Sequence, residues 1–470
     1  MRVILVLSLS FNSIFSFTPK NKLSNYAQVR KLVRVTSKAI ILYKKIYKNR
    51  QTKYRKELYI KKKDIQKYLS LFYTYAGNEL EEKVKYYFSY KNKSRSKKDI
   101  KIIKNPTYRL QKILIKNKKI RKKQTKNLKK PLPLQGVRIA IDPGHTAGNI
   151  NEAIFESRFV ILRDGKKQLK FFEADLSYKL ALLLKSYYEK KGAKVYLSHK
   201  YGVPAIGMKM QTFYNNKKLL TKFLQREFAA NRISKKEFSQ LQDPINFFQR
   251  KKFFFREVDL RTRAENINKF KPHLSLLLHF NGDGSTQGDY RNKLLRIERI
   301  VNNYRLNEKN KVQRITQVVK EKRGHYKQYG IYFIPGGFYK DEMKHFRSRI
   351  EFLRLYLSKN WKNSLNLASS LATNITHGLN VPIWKKKRSS GYRIYTGKKG
   401  VFSRNVKMTR LLHSPVVLLE PFLQENLTIA RALSKKGKQF GKLNIPPIIV
   451  KLSKLITKSV DEYLRDIIKQ

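Results

Sequence analysis

Val137-Arg138-Ile139-Ala140-Ile141-Asp142-Pro143-Gly144-His145 is a short apolar run that breaks on an Asp-Pro-Gly turn. The turn delivers an imidazole at the C-terminal end of what the run predicts to be a strand, Val137 to Ile141. In an open α/β sheet, ligands gather outside the carboxyl ends of the strands.

Working outward, the α/β pattern continues. Phe159 to Leu162, then Arg163-Asp164-Gly165-Lys166, then Leu169 to Phe172 predict a hairpin around Asp-Gly. A helix follows, with Leu176, Leu180, Leu183, Leu184 and Tyr187 on one face. Gly192 ends it and Val195-Tyr196-Leu197 opens a strand, a βαβ signature. Leu260 to Phe270 predicts a helix. Leu274 to Leu278 predicts a fully apolar strand ending at His279. Ser364 to Leu379 predicts a helix, and Val416 to Leu419 a buried strand ending at Glu420. Leu452, Leu455, Ile456, Tyr463, Leu464 and Ile467 mark a last helix. The expected fold is a three-layer α/β domain with a mostly parallel twisted sheet, covering 136–470. Basic, aromatic stretches at about 199–255 and 283–360 read as insertions, the second with a strand-like piece at Gly330 to Ile334.

The rest of the chain differs. Residues 1–19 begin Met1-Arg2 and run through Val3 to Phe17 as a short apolar segment, which reads as a signal peptide for export to the periplasm or cell envelope. Residues 20–90 read as a helical region, with Ile65, Leu69 and Phe72 at helical spacing. Residues 91–135 read as a basic linker: from Lys91 to Lys130, 18 of 40 residues are Lys or Arg and only Asp99 is acidic. The whole chain of 470 residues carries 105 Lys and Arg against 32 Asp and Glu, a net charge of +73. Such an excess implies acidic partners, among them anionic envelope polymers and lipid headgroups. A composition rich in Lys, Asn, Ile and Tyr throughout offers a second reading of the same excess, as bias rather than binding. Cysteine is absent, which excludes disulfides, thiolate metal sites and a Cys nucleophile.

Four residues at strand ends or helix starts offer one chemistry. A catalytic zinc takes three protein ligands and keeps a position for water. His145, Glu173 and His279 supply two imidazoles and a carboxylate, and Glu420 is left to move a proton as general base. Each alone has a bland reading. A lone His at a strand end is commonly a satisfied polar residue. Glu173 suits a helix N-terminus. Glu420 closes an apolar strand, where a charge is costly unless paired or used.

These residues carry a resemblance. From about Val137 onward the chain resembles the zinc-dependent N-acetylmuramoyl-L-alanine amidases of the AmiC-like catalytic family, also termed amidase type 3. The resemblance runs through Asp142 to His145, then Glu173-Ala174-Asp175-Leu176 opening the amphipathic helix. It continues through Arg261-Thr262-Arg263-Ala264-Glu265-Asn266 and Leu276-Leu277-Leu278-His279-Phe280-Asn281, and ends at Leu419-Glu420-Pro421-Phe422-Leu423-Gln424-Glu425-Asn426. It implies that His145, Glu173 and His279 bind Zn2+ and that Glu420 is catalytic. The implied reaction is hydrolysis of the amide between N-acetylmuramic acid and L-alanine in peptidoglycan. Asn281 and Arg404 are candidate substrate contacts. The sequence departs from the pattern at Thr146-Ala147, where Gly-Gly is usual, and at Pro421, which replaces a Gly and removes a backbone donor. The longer spacing from His145 makes Glu156 a competing ligand, without a strong helix after it. His199, His273, His325, His345, His377 and His413 are expected on the surface or behind the ligands.

The resemblance also admits a lid over the groove at 283–360, awaiting a protein activator, although a surface extension is the preferred reading. Two other classes stand as alternatives. One is a peptidoglycan- or polyanion-binding protein on the same scaffold without catalysis. The other is a nucleic-acid-binding protein that uses basic runs among 28 Tyr and 27 Phe. The dispersed charge and the signal-like start speak against nucleic acid.

Overall fold

The protein is described by a computed structural model. It describes the backbone of 31–35, 39–48 and 51–61. From 106 to 469 it describes the chain apart from 124–131, 150–151, 154–155, 157, 230–232, 244–246, 283–298, most of 301–325, 339–354, 356–359, 386–392 and 442. The leader at 1–19 and the helical positions expected at Ile65, Leu69 and Phe72 lie outside the described residues.

Strands β1 (Lys31–Val35), β2 (Ala39–Lys48) and β3 (Gln51–Lys61) pair antiparallel in one sheet. This corrects the helical reading of 20–90 over that stretch. Ile40, Ile41, Leu42 and the Tyr and Ile residues after them are mostly β-branched or aromatic, and that local preference suits a pleated surface. A second correction concerns 91–135. Helix α1 (Pro106–Lys123) lies within it, with Leu110 and Leu114 buried. Asn117 donates from Nδ2 to the carbonyl of Gln135 at 2.9 Å, and Asn363 donates to Thr107 Oγ1 at 2.5 Å. The basic residues are solvated on the outside of a helix whose apolar edge is docked.

The domain proper begins with β4 (Arg138–Pro143). A hairpin, β5 (Phe159–Asp164) and β6 (Lys167–Phe172), leads into α2 (Glu173–Lys190) and β7 (Lys194–Leu197). Next come α3 (Met210–Asn215), α4 (Lys217–Ala229), α5 (Lys235–Gln242) and α6 (Phe247–Phe253), then a π-helical turn at Phe254–Asp259 that runs into α7 (Leu260–Phe270). The chain continues with β8 (Leu274–Leu278), β9 (Lys322–Arg323), β10 (Ile331–Pro335), α8 (Asn360–Leu379), β11 (Arg393–Tyr395) and β12 (Val401–Arg404). It ends with α9 (Lys407–Leu411), β13 (Val416–Glu420), α10 (Leu427–Ser434) and α11 (Pro447–Lys469).

Among the described residues, seven strands form the central sheet in the order β11-β12-β10-β13-β8-β4-β7. The four from β13 to β7 pair parallel. β10 is antiparallel to β13, β12 is parallel to β10, and β11 is antiparallel to β12. The strand-like piece at 330–334 is therefore not part of an insertion. It is β10, the bridge between the parallel half and the far edge. β9 lies outside this sheet and extends the β5–β6 hairpin.

Alternation along each buried strand divides the core in two. Ile139 and Ile141, Leu276 and Leu278, Val417 and Leu419, and Tyr332 and Ile334 pack in the larger core with α2, α8 and α11. Ala140, Leu277, Val416, Leu418, Ile331 and Phe333 face α7 and α9 on the other side. Two helical layers thus sandwich the sheet, because strands apolar on both faces must be covered on both. The helical insertion has a core of its own around Phe213, Phe223, Leu224 and Phe254. Among the described residues, no helix is long and apolar enough to cross a membrane.

Candidate metal centre

Parallel pairing brings the chemistry to one edge. Ile141 opposes Leu276 in register, and Leu419 opposes Leu278, so the residues following β4, β8 and β13 emerge at the same end of the sheet. Glu173, first residue of α2, is presented there by the β5–β6 hairpin. The tip of that hairpin is held by Arg431, whose guanidinium donates to both oxygens of Asp164 at 2.7 and 2.9 Å.

His145, Glu173 and His279 meet. One ligand atom from each lies within 4.8 Å of the others. His145 Nε2 is 3.2 Å from Glu173 Oε2, and His279 Nδ1 is 2.8 Å from Glu173 Oε1. The rings of the two histidines are nearly perpendicular, with centroids 5.2 Å apart. Glu173 Oε1 also accepts the Phe280 backbone N–H at 3.0 Å, which fixes its carboxylate against the end of β8. Tetrahedral zinc with bonds of about 2.1 Å would separate its ligand atoms by about 3.4 Å. Two nitrogens and a carboxylate at these spacings fit such an ion without thiolate.

The turn that carries His145 is tightly determined. A Cβ at Gly144 would come 2.6 Å from the Leu278 carbonyl and 2.7 Å from His279 Nδ1, so only glycine lets the two histidines approach. Gly144 N–H donates to the Leu278 carbonyl at 2.8 Å, and its carbonyl accepts from Ser177 Oγ at 2.8 Å. His145 itself has φ 65°, a left-handed conformation that a β-carbon disfavours.

Glu156 takes a different place from the ligand position open to it in the sequence. It lies 3.5 Å from His145 Nδ1, on the side of the ring away from Glu173, and accepts from both the backbone N–H and the hydroxyl of Thr146. A carboxylate on the second nitrogen fixes the tautomer and orientation of a ligating histidine. Thr146, where the resemblance leads one to expect glycine, supplies the donors that hold that carboxylate.

Electrostatics separate the two glutamates. Burial raises the Glu173 carboxyl, but His145 and His279 outweigh it and hold the pKa well below the ordinary 4.5. Burial likewise works against charge on His145, yet Glu173 and Glu156 keep its pKa above 6.5. Glu420 is raised above 4.5 by burial, with Arg404 and His279 only partly offsetting it. Thus the Glu173 carboxyl is held to its anionic form, while Glu420 takes up a proton more readily than an ordinary glutamate. Arg404, at the end of β12, reaches over the Phe333 ring to 4.0 Å from Glu420. Asn281 is placed by its backbone: its N–H donates to the Phe422 carbonyl at 3.2 Å and its carbonyl accepts from Gln424 N–H at 3.0 Å.

The sequence placed His199 on the surface or behind the ligands and quoted Asp142 and Arg263 within motifs, but gave none of them a definite role behind the turn. His199 is buried there, its Nδ1 2.8 Å from Ser198 Oγ, and Ser198 donates to Asp142. Burial, then the nearby Arg263, keeps the His199 pKa well below 6.5. Arg263 itself is 2% exposed. Its signal in the sequence was an Asp259–Arg263 pair at i,i+4 spacing on the inner face of a helix.

No family model matches the chain, and no curated protein does. Its structural neighbours are N-acetylmuramoyl-L-alanine amidases. The CwlD amidase of Clostridioides difficile, solved in complex with the GerS lipoprotein, shares 12% identity at a TM-score of 0.34, covering 70% of this chain and 99% of its own. Ami1 from Mycobacterium smegmatis shares 11% at 0.35, covering 71% and 99%. AmiC2 of Nostoc punctiforme shares 9% at 0.33, covering 70% and 99%. Likenesses this distant carry no argument about chemistry, which rests on the four side chains.

Proposed function

We propose that this protein is an exported zinc-dependent N-acetylmuramoyl-L-alanine amidase, which hydrolyses the amide between N-acetylmuramic acid and L-alanine during wall remodelling or daughter-cell separation. The observation that carries this reading is the convergence of His145, Glu173 and His279 at one strand edge, with Glu420 on the adjoining strand end. Zinc, when bound, supplies Lewis acidity toward a carbonyl and lowers the pKa of water toward neutrality.

The chain's own groups do the rest. His145, Glu173 and His279 hold the ion, and Glu156 orients His145. Glu420 accepts a proton from the attacking water and returns it to the leaving nitrogen of L-alanine. Its upward-shifted pKa suits that exchange better than an ordinary glutamate would. Arg404 faces Glu420 and steadies its anionic form, while its position also suits a contact to substrate. Asn281, anchored through its backbone at the rim, is the second proposed contact. The basic surface would hold the enzyme near anionic envelope polymers or lipid headgroups.

The test is metal content and its consequence. Full-length protein should carry about one zinc per chain, lose peptidoglycan hydrolysis on chelation and regain it with zinc. Hydrolysis that survives complete zinc removal would overturn the proposal.

A further inference from the structure

Behind the metal ligands lies a buried ionic hub. Arg263, from α7, donates from Nε to Asp259 Oδ2 at 2.7 Å and from Nη1 to Asp142 Oδ1 at 3.1 Å. Nη1 also reaches the Pro143 carbonyl at 2.9 Å, and Nη2 the His145 carbonyl at 3.1 Å. Asp142, Asp259 and Arg263 are each no more than 2% exposed. One guanidinium therefore grips three features of the turn: the Asp142 side chain, the Pro143 carbonyl and the carbonyl of His145.

His145 sits at φ 65°, and a non-glycine residue stays in that region only where its surroundings over-determine it. A planar fork with donors on three sides suits that task, and an ammonium does not. The other end of the hub is the helical insertion. Asp259 closes the π-helical turn at its end, and its Oδ1 accepts the Ala205 backbone N–H at 2.7 Å near its start. A π-helical turn carries an extra residue and so re-aims the helix beyond it. Here it leads directly into α7, one turn before Arg263.

We propose that Arg263 is a positioning residue for the zinc ligand His145, and that Asp259 ties this positioning to the root of the helical insertion. Arg263 reaches neither substrate nor metal. It acts by holding the backbone from which the His145 ring projects, so its loss blunts metal binding before it alters chemistry. This rests on the zinc reading given above.

The experiment measures zinc affinity by competition with a chromogenic chelator, alongside the thermal midpoint of the metal-free protein. It uses full-length wild type, Arg263→Lys, Asp259→Asn and Asp461→Asn. Asp461, on α11 and away from the turn, pairs with Lys191 and Tyr187 and controls for loss of an ion pair as such. Loss of an orienting group behind a metal ligand typically weakens binding 10- to 100-fold. Arg263→Lys and Asp259→Asn are expected to lose about that much, while Asp461→Asn keeps wild-type affinity whatever its midpoint. If Arg263→Lys does not fold, Asp259→Asn carries the test. Folded variants that bind zinc within about twofold of wild type would overturn the inference and leave the zinc reading intact. Wild type that binds no zinc would overturn both.

Discussion

At the scale of single residues, the proposed mechanism rests on a contrast between glutamates. Two imidazoles hold the Glu173 pKa well below the ordinary value, and burial raises that of Glu420 above it. Arg404 is the foremost of the cations that moderate Glu420. Removing it takes away a favourable interaction with the charged form, so the Glu420 pKa rises further. A general base must be unprotonated to act, and the acid limb of kcat/KM for Arg404→Ala is predicted to move to higher pH than in wild type. A pH–rate profile checks this; an unmoved limb would remove Arg404 from that role. The three proposed ligands and the proposed base were legible in the sequence because each stands where an apolar run stops, at His145, His279 and Glu420, or where an amphipathic helix starts, at Glu173. The choice between Glu173 and Glu156 was not settled by spacing. The structure brings Glu173 to both histidines and Glu156 to the far side of the His145 ring, an arrangement that depends on Thr146 and the intervening hairpin. Arg263 was legible only as part of a motif, since its role depends on carbonyls 118 and 120 residues away in sequence.

At the scale of elements, periodicity served well where burial is two-sided. Leu274–Leu278 and Leu260–Phe270 form the strand and helix their patterns predict, and β13 ends on Glu420 as expected. It failed where charge masks a narrow apolar edge. In α1, Lys and Arg crowd the sequence, yet Leu110 is fully buried and Leu114 is 4% exposed. Leu110→Ala is predicted to cost about 3 kcal/mol of stability in urea unfolding. A free linker would give no measurable change. The pattern also misplaced β10, whose neighbours in space, β12 and β13, come much later in sequence. Non-local pairing of that kind leaves no local trace. Where β4 and β8 begin, His273 gives a pH-linked test. Its Nδ1 accepts the Arg138 backbone N–H at 2.9 Å. Burial, then Arg138 and Arg109, pushes its pKa down to about 4. The unfolded chain therefore binds a proton more readily than the folded one between pH 6.5 and 4. The stability His273 contributes is present above 6.5 and is lost as pH falls through that window, on the order of 3 kcal/mol in full. His273→Gln should show a shallower loss of stability than wild type across that range; parallel curves would refute the assignment.

At the scale of the whole molecule, charge is the dominant property. With 105 Lys and Arg against 32 Asp and Glu, most cations have no carboxylate available to them, and many described carboxylates are already engaged within the fold. Binding to wall preparations that retain anionic polymer is predicted to weaken steeply between about 50 and 500 mM salt, values chosen to take the screening length from roughly 14 to 4 Å. Sedimentation with insoluble wall checks this, and salt-independent retention would point to a neutral glycan contact instead. Composition announced this property but not its purpose, because a compositional bias and a binding surface look alike in a residue count. The central claim concerns bond cleavage, and one measurement bears on it most directly: digestion of purified peptidoglycan by the full-length zinc-loaded protein beside Glu420→Ala. The account predicts release of stem peptides with L-alanine at their N-terminus by wild type, and loss of at least about 100-fold of that release in the variant with zinc still bound. Equal release by both proteins, or cleavage at a different bond, would contradict it.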